Sequence, residues 1–158
     1  MEPYSLAEVL RSTQLFGALE PQHLEKLAAI ASEVTWTEGQ VIFREGEADD
    51  KLYLVVEGLV ALEVYIPNRG RATILTAGAH EIFGWSAAVP VVGKKTASAR
   101  SLQPTRAIAI DARALCAACE QDHHLGYYFY HTLANVIASR LTATRLQLLD
   151  VYAVGKGE

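Results

Sequence analysis

Residues 52–76 read LYLVVEGLVALEVYIPNRGRATILT. Three β-rich runs, Leu52–Val56, Leu59–Ile66 and Ala72–Thr76, stand with glycine and a Pro67-Asn68-Arg69-Gly70 turn between them. No helical period separates the runs, which argues against parallel α/β units. The same grammar extends outward. Glycines at 39, 46, 58, 70, 78, 84 and 93 punctuate the chain. Further short runs fall at Val41–Phe43, Ala97–Leu102 and Ala107–Ile110. Strands this short at this spacing predict a closed double sheet or barrel over residues 34–110.

Both flanks are helical. On the N-terminal side, residues 1–33, Leu6, Val9 and Leu10 share a face. Pro21 opens a second helix, whose stripe is Leu24, Leu27, Ala28 and Ala31. On the C-terminal side, residues 111–152, Asp111 and Asp122 stand as caps of two helices, and Gly126 weakens the start of the second. Ala134, Ile137, Leu141, Thr144, Leu148 and Val151 step by three and four in a heptad-like seam. A helix of about 27 residues is about 40 Å long, more than one small barrel covers. The seam therefore predicts a homodimer through this helix, with Leu133, Val136 and Leu146 on other faces.

The chain has 158 residues, 51% apolar and 20% charged, which fits one globular domain over 1–158. Its net charge of −4 argues against a free-standing nucleic-acid binder. No apolar run spans a membrane and Met1-Glu2-Pro3-Tyr4 opens no secretory signal, so the expectation is a cytoplasmic protein. The terminal Gly155-Lys156-Gly157-Glu158 reads as a frayed end.

Four motifs carry a resemblance: Leu15-Phe16-Gly17-Ala18-Leu19 with Leu24 and Leu27; Glu38-Gly39 through Arg44-Glu45-Gly46-Glu47; Leu52-Tyr53-Leu54-Val55-Val56-Glu57-Gly58; and Gly78 through Ile82-Phe83-Gly84. Over residues 13–152 the chain resembles the cyclic nucleotide-binding domain family. The resemblance implies a mainly β fold: a double-stranded β-helix, or jelly-roll barrel, with N-terminal helices and a long C-terminal helix. Among family members the plan is similar to regulators of the catabolite activator and Fnr type. Those add a helix-turn-helix domain after the long helix; with few residues beyond Val151, none is expected here.

The family's phosphate cassette presents backbone N–H groups to a cyclic phosphate. It adds a glutamate for the ribose hydroxyl and an arginine for the phosphate. The resemblance maps the cassette onto Phe83, Gly84, Trp85, Ser86 and Ala87, then Lys95, Thr96 and Ala97. Trp85 stands at the glutamate position and Lys95 at the arginine position. Indole only donates a hydrogen bond, and an ammonium lacks the bidentate fork. Arg145, with Thr144, lies where family members send polar side chains from the long helix to the base.

Three readings follow. The domain binds an altered small organic anion, Trp85 offering a flat face and Lys95 with Arg145 supplying charge. Alternatively Trp85 fills the pocket, and the chain is a binding-dead dimeric interaction module. Last, it is an ordinary cyclic AMP or GMP receptor. All three make it a sensor or regulatory module, with the possibility of a separate output protein.

Other chemistry has thin support. Cys116-Ala117-Ala118-Cys119 lacks the second ligand pair of a zinc site and the βαβ setting of a redox motif. His123, His124 and His131 sit on a helix, and His80 stands by itself in the strand zone, without a cupin-type H-x-H. The acidic run Glu45, Glu47, Asp49 and Asp50 reads as a solvated turn. Lys94, Lys95, Arg100 and Arg106 form a basic cluster too small for counterion-driven nucleic-acid binding. No metal, no cofactor and no catalytic residue is expected.

Overall fold

The computed structural model describes residues 5–13, 16–48 and 50–155. Leu15 of the first motif, Asp49 of the acidic run, Met1–Tyr4 and Lys156–Glu158 lie outside the described residues. Eight strands are described: β1 (Ala31–Trp36), β2 (Val41–Phe43), β3 (Lys51–Glu57), β4 (Val60–Ile66), β5 (Gly70–Ala77), β6 (Ile82–Phe83), β7 (Ser98–Ser101) and β8 (Thr105–Asp111). They form two four-stranded antiparallel sheets, in the orders β1-β8-β3-β6 and β2-β7-β4-β5. This is the expected jelly roll. Helices α1 (Leu6–Ser12) and α2 (Pro21–Ala29) precede it; α3 (Ala112–Gln121) and α4 (His123–Val154) follow.

The run at Leu52–Val56 is continuous rather than alternating because β3 is covered on both faces. Leu52 and Leu54 point to the helices and join Leu10, Leu24, Leu27, Ile108, Ile110, Leu115, Leu125 and Phe129. Tyr53 and Val55 point into the barrel with Phe43, Val60, Leu62 and Phe83. Inside the barrel, Tyr53 stacks on Phe83 at 5.0 Å, and Trp36 meets Tyr53 edge-on at 5.4 Å.

Two boundaries depart from the expectation. By its spacing Ala31 falls on the stripe of α2. It instead opens β1, where it pairs with Ile110 of β8, and the sheet begins three residues before Val34. Ladder pairing with β8 overrides a helical period that coincided by chance. Strand β6, with two residues, is too short to show a period at all.

The caps are as expected. The Asp111 side chain accepts from the Ala114 N–H at 2.8 Å, and that of Asp122 accepts from the Leu125 N–H at 3.3 Å. Asp122 also receives Lys26 Nζ at 2.8 Å and His23 Nε2 at 3.0 Å from α2. The Lys26 ammonium, with the Leu125 amide, holds the Asp122 carboxyl well below the usual carboxylate range. This carboxylate ties both helical flanks together at the start of α4. Gly126 lets α3 and α4 approach closely there, since a Cβ on it would stand 2.9 Å from the Cys119 carbonyl oxygen.

Helix α4 runs for 32 residues, about 48 Å. Leu125, Phe129 and Leu133 are buried, Val136 and Ile137 are half-buried, and all five pack on the helix-side core. Further along, Gln147 Nε2 donates to the Ile74 carbonyl at 2.8 Å, which lays the helix against β5. Of the expected seam, Leu141, Leu148 and Val151 are 52%, 56% and 69% exposed in the single chain, while Ile137 already serves its own domain. Leu146 is exposed as well. No helix among the described residues is long and apolar enough to cross a membrane.

Candidate functional site

Strand β6 ends at Phe83, and Gly84 turns the chain into a short 3-10 helix, Trp85–Ala88. Gly84 has φ 73°, a left-handed conformation that glycine adopts without strain. The space forbids a side chain as well. A Cβ there would sit 3.0 Å from Lys95 Nζ and 3.2 Å from the Lys51 carbonyl oxygen. The loop after the 3-10 helix returns through Lys95, whose N–H donates to the Glu47 carbonyl at 2.9 Å. Gly46 N–H donates to the Lys95 carbonyl at 2.8 Å.

The Lys95 side chain turns inward. It is 3% exposed. Its ammonium donates to the Gly84 carbonyl at 3.0 Å and to the Lys51 carbonyl at 3.2 Å, and it lies 4.6 Å from the centre of the Phe43 ring. An ammonium taken out of water is costly unless paired. Two carbonyl acceptors and an aromatic face supply compensation. Lys95 thereby staples the start of the 3-10 helix to the start of β3.

What remains of the cassette is a cavity of about 30 Å³, bordered by Phe43, Leu62, Gly84, Trp85, Ser86, Lys95, Thr96, Ala97 and Arg140. That space is on the scale of a single water molecule, an order of magnitude below small-molecule sites of about 300 Å³ and more. Trp85 is half-buried and packs against the helix-side core.

Six of the expected site residues, Gly84, Trp85, Ser86, Lys95, Thr96 and Ala97, border this cavity. Phe83 does not, because its ring fills the barrel interior beside Tyr53 and Phe43. Ala87 borders a neighbouring hollow of about 110 Å³ with Ala48, Asp50, Ser86, Pro90, Gly93 and Lys94. Arg145 is exposed on α4 and borders neither.

The helix sends Arg140 instead. One guanidinium nitrogen, Nη2, donates to the Ile82 carbonyl, while Nη1 is buried with no hydrogen-bond partner. Burial pulls the Arg140 pKa below its usual value, and the nearby Glu81 carboxylate opposes that shift. The sequence held a signal for it. Leu125, Phe129, Leu133, Val136 and Arg140 form one stripe at steps of four, four, three and four, so an arginine falls on the barrel-facing side. Arg145 lies about 140° further round the helix.

The other constellations dissolve into structure. Burial pushes the Cys119 thiol up to about 11, which opposes thiolate chemistry. Tyr130 Oη donates to Cys116 Sγ at 3.6 Å, and Cys116 Sγ contacts the Ala88 carbonyl at 3.7 Å, where α3 meets the 3-10 helix. Among the described residues no group of three or more His, Cys, Asp or Glu could hold a metal ion. The basic cluster is dispersed. Lys95 is buried, Arg100 is locked on Glu63 at 2.8 Å, and Arg106 faces Glu33 at 3.4 Å. That Glu63–Arg100 bond also lowers the Glu63 pKa.

If Lys95 is a staple, Lys95→Met lowers stability by about 1–3 kcal/mol in urea unfolding, whereas Lys94→Met, exposed one residue earlier, changes it little. Equal effects of the two substitutions would contradict the role.

Residues 33–122 match the family profile described as Cyclic nucleotide-binding domain. The chain is 29% identical over 145 residues to the CRP-like cAMP-activated global transcriptional regulator of Mycobacterium tuberculosis, covering 91% of this chain and 62% of that protein. It therefore spans less than two thirds of that curated relative. Among solved structures, a Geobacter metallireducens GS-15 protein assigned to cyclic nucleotide binding is 30% identical, with a TM-score of 0.76 over 85% of this chain and 97% of that one. The catabolite activator protein of Thermus thermophilus is 26% identical, with a TM-score of 0.70 over 88% of this chain and 62% of that one.

Proposed function

The chain belongs to the cyclic nucleotide-binding domain family, and from that premise we propose a regulatory module whose cassette is held shut by its own side chains and does not take a cyclic nucleotide. The observation that carries this reading is the inward Lys95 ammonium on the Gly84 and Lys51 carbonyls, beside a cavity of about 30 Å³. A phosphate that drew Lys95 outward would have to replace both hydrogen bonds and the Phe43 contact. Without a glutamate at Trp85, the ribose hydroxyl would find no carboxylate there to accept its hydrogen bond. The role is regulatory rather than catalytic, in the cytoplasm.

The output surface of this module is α4. A second copy meets it along Ala134, Ile137, Leu141, Thr144, Leu148 and Val151, covering Leu141, Leu148 and Val151, which stand exposed in the single chain. A second reading, in which a small organic anion other than a cyclic nucleotide enters the cassette, draws on two cations, Lys95 and Arg140, bordering one cavity.

Calorimetric titration with cyclic AMP and cyclic GMP tests the main reading. The expected result is no binding tighter than about 10 μM, equivalent to about −7 kcal/mol. Saturable binding below that concentration would overturn it. For the surface, Leu141→Glu is expected to halve the mass measured by light scattering at micromolar protein. An unchanged mass would mean that this seam does not hold two copies together.

A further inference from the structure

Beside α4, a second cavity of about 270 Å³ is bordered by Glu81, Ile82, Asn135, Val136, Ser139 and Arg140. It shares only Arg140 with the cassette cavity. Asn135 and Ser139 stand one turn apart on the flank of the helix away from the seam, so a second copy on that seam leaves the cavity open.

Its walls hold an imbalance. Arg140 borders both cavities, and its Nη1 is buried without an acceptor while Nη2 is taken by the Ile82 carbonyl. A buried donor left unmade is expensive, and native structures rarely keep one without a purpose. Glu81 is the obvious partner, yet the two side chains form no ion pair. One Glu81 oxygen, Oε1, accepts instead from the Gly78 N–H at 3.3 Å. The cavity is thus bordered by an arginine whose Nη1 donor is unmet, a carboxylate held apart from it, two neutral polar side chains, and an apolar wall from Ile82 and Val136.

We propose that this cavity binds a small zwitterion of the α-amino-acid type, its carboxylate on the Arg140 guanidinium and its ammonium on the Glu81 carboxylate. A plain anion satisfies Arg140 but meets the Glu81 charge, and a plain cation does the reverse. A zwitterion satisfies both through charge-assisted pairs. The volume suits a ligand at the small end of the usual range. Such a ligand also joins β6 to α4, so its binding free energy favours the docked position of the helix. The inference goes beyond the closed-cassette reading and does not rest on it, since neither Lys95 nor Trp85 contributes.

The test is thermal shift and calorimetry of the intact chain with glycine, L-alanine and L-valine, beside acetate, methylammonium and inorganic phosphate at equal concentrations. At least one amino acid is expected to bind at about 1 mM or tighter, with acetate, phosphate and methylammonium weaker by about tenfold. Glu81→Gln and Arg140→Gln should each lose about tenfold in affinity, and Lys94→Met, an exposed residue that does not border this cavity, should keep it. Glu81 is exposed, so Glu81→Gln carries the test even if Arg140→Gln fails to fold. Acetate or phosphate matching the amino acids, an unchanged affinity in Glu81→Gln, or no amino-acid binding at about 10 mM would each overturn the proposal. Cyclic AMP is expected not to displace the bound amino acid, whichever way the cassette itself behaves.

Discussion

The ammonium of Lys95 sits inside the protein on the carbonyls of Gly84 and Lys51, under the ring of Phe43. Three elements depend on it. Gly84 must be left-handed and without a Cβ, because Lys95 Nζ occupies the space a side chain would need. The 3-10 helix is anchored at its first turn, where the Gly84 carbonyl accepts from both Lys95 Nζ and the Ala87 N–H. The aromatic cluster of Trp36, Phe43, Tyr53 and Phe83 gains a cation on its flank. Hydrogen bonds to a charged group are worth about 1.5–3 kcal/mol each. An ammonium moved outward to meet an anion forfeits them, and the Gly84 carbonyl keeps only the Ala87 N–H. Ligand binding at this cassette therefore competes with the fold, whereas an arginine already facing the groove would favour both.

Helix α4 is where the remaining structure converges. The Asp122 carboxylate caps its start and holds α2 through Lys26 and His23. The barrel-facing stripe then runs from Leu125 to Val136, delivers Arg140 to the edge of the cassette, and closes at Gln147 on the Ile74 carbonyl. Beyond the barrel the same helix carries exposed Leu148, Leu149, Val151 and Tyr152. In the proposed pairing, this one element would link the cassette edge to a second copy, because Arg140 and the proposed seam lie on the same helix.

Much of the fold was legible in particular residues. The continuous apolar run at Leu52–Val56 is what a strand buried on both faces requires, and the structure covers both of its faces. Asp111 and Asp122 cap as their chemistry suggests. The sheet edge was harder. Ala31 fits a helical stripe by spacing and is drawn into β1 only by its pairing with Ile110, a contact nearly eighty positions away. In the site, the positions of Trp85 and Lys95 could be read from the motif, but the direction of the lysine could not. A four-carbon stem reaches outward or inward equally well, and the choice is made by the Lys51 carbonyl and Phe43 from distant strands. Family position points to Arg145, whereas helical phase places Arg140 beside the cassette cavity.

The central claim is that the protein closes its own cassette. The most direct measurement is a crystal structure grown with cyclic AMP at about 5 mM, far above the affinity of an ordinary receptor. The account predicts no nucleotide in the cassette and Lys95 Nζ still on the Gly84 and Lys51 carbonyls. A nucleotide bound between the 3-10 helix and β7, with Lys95 swung onto its phosphate, would contradict it.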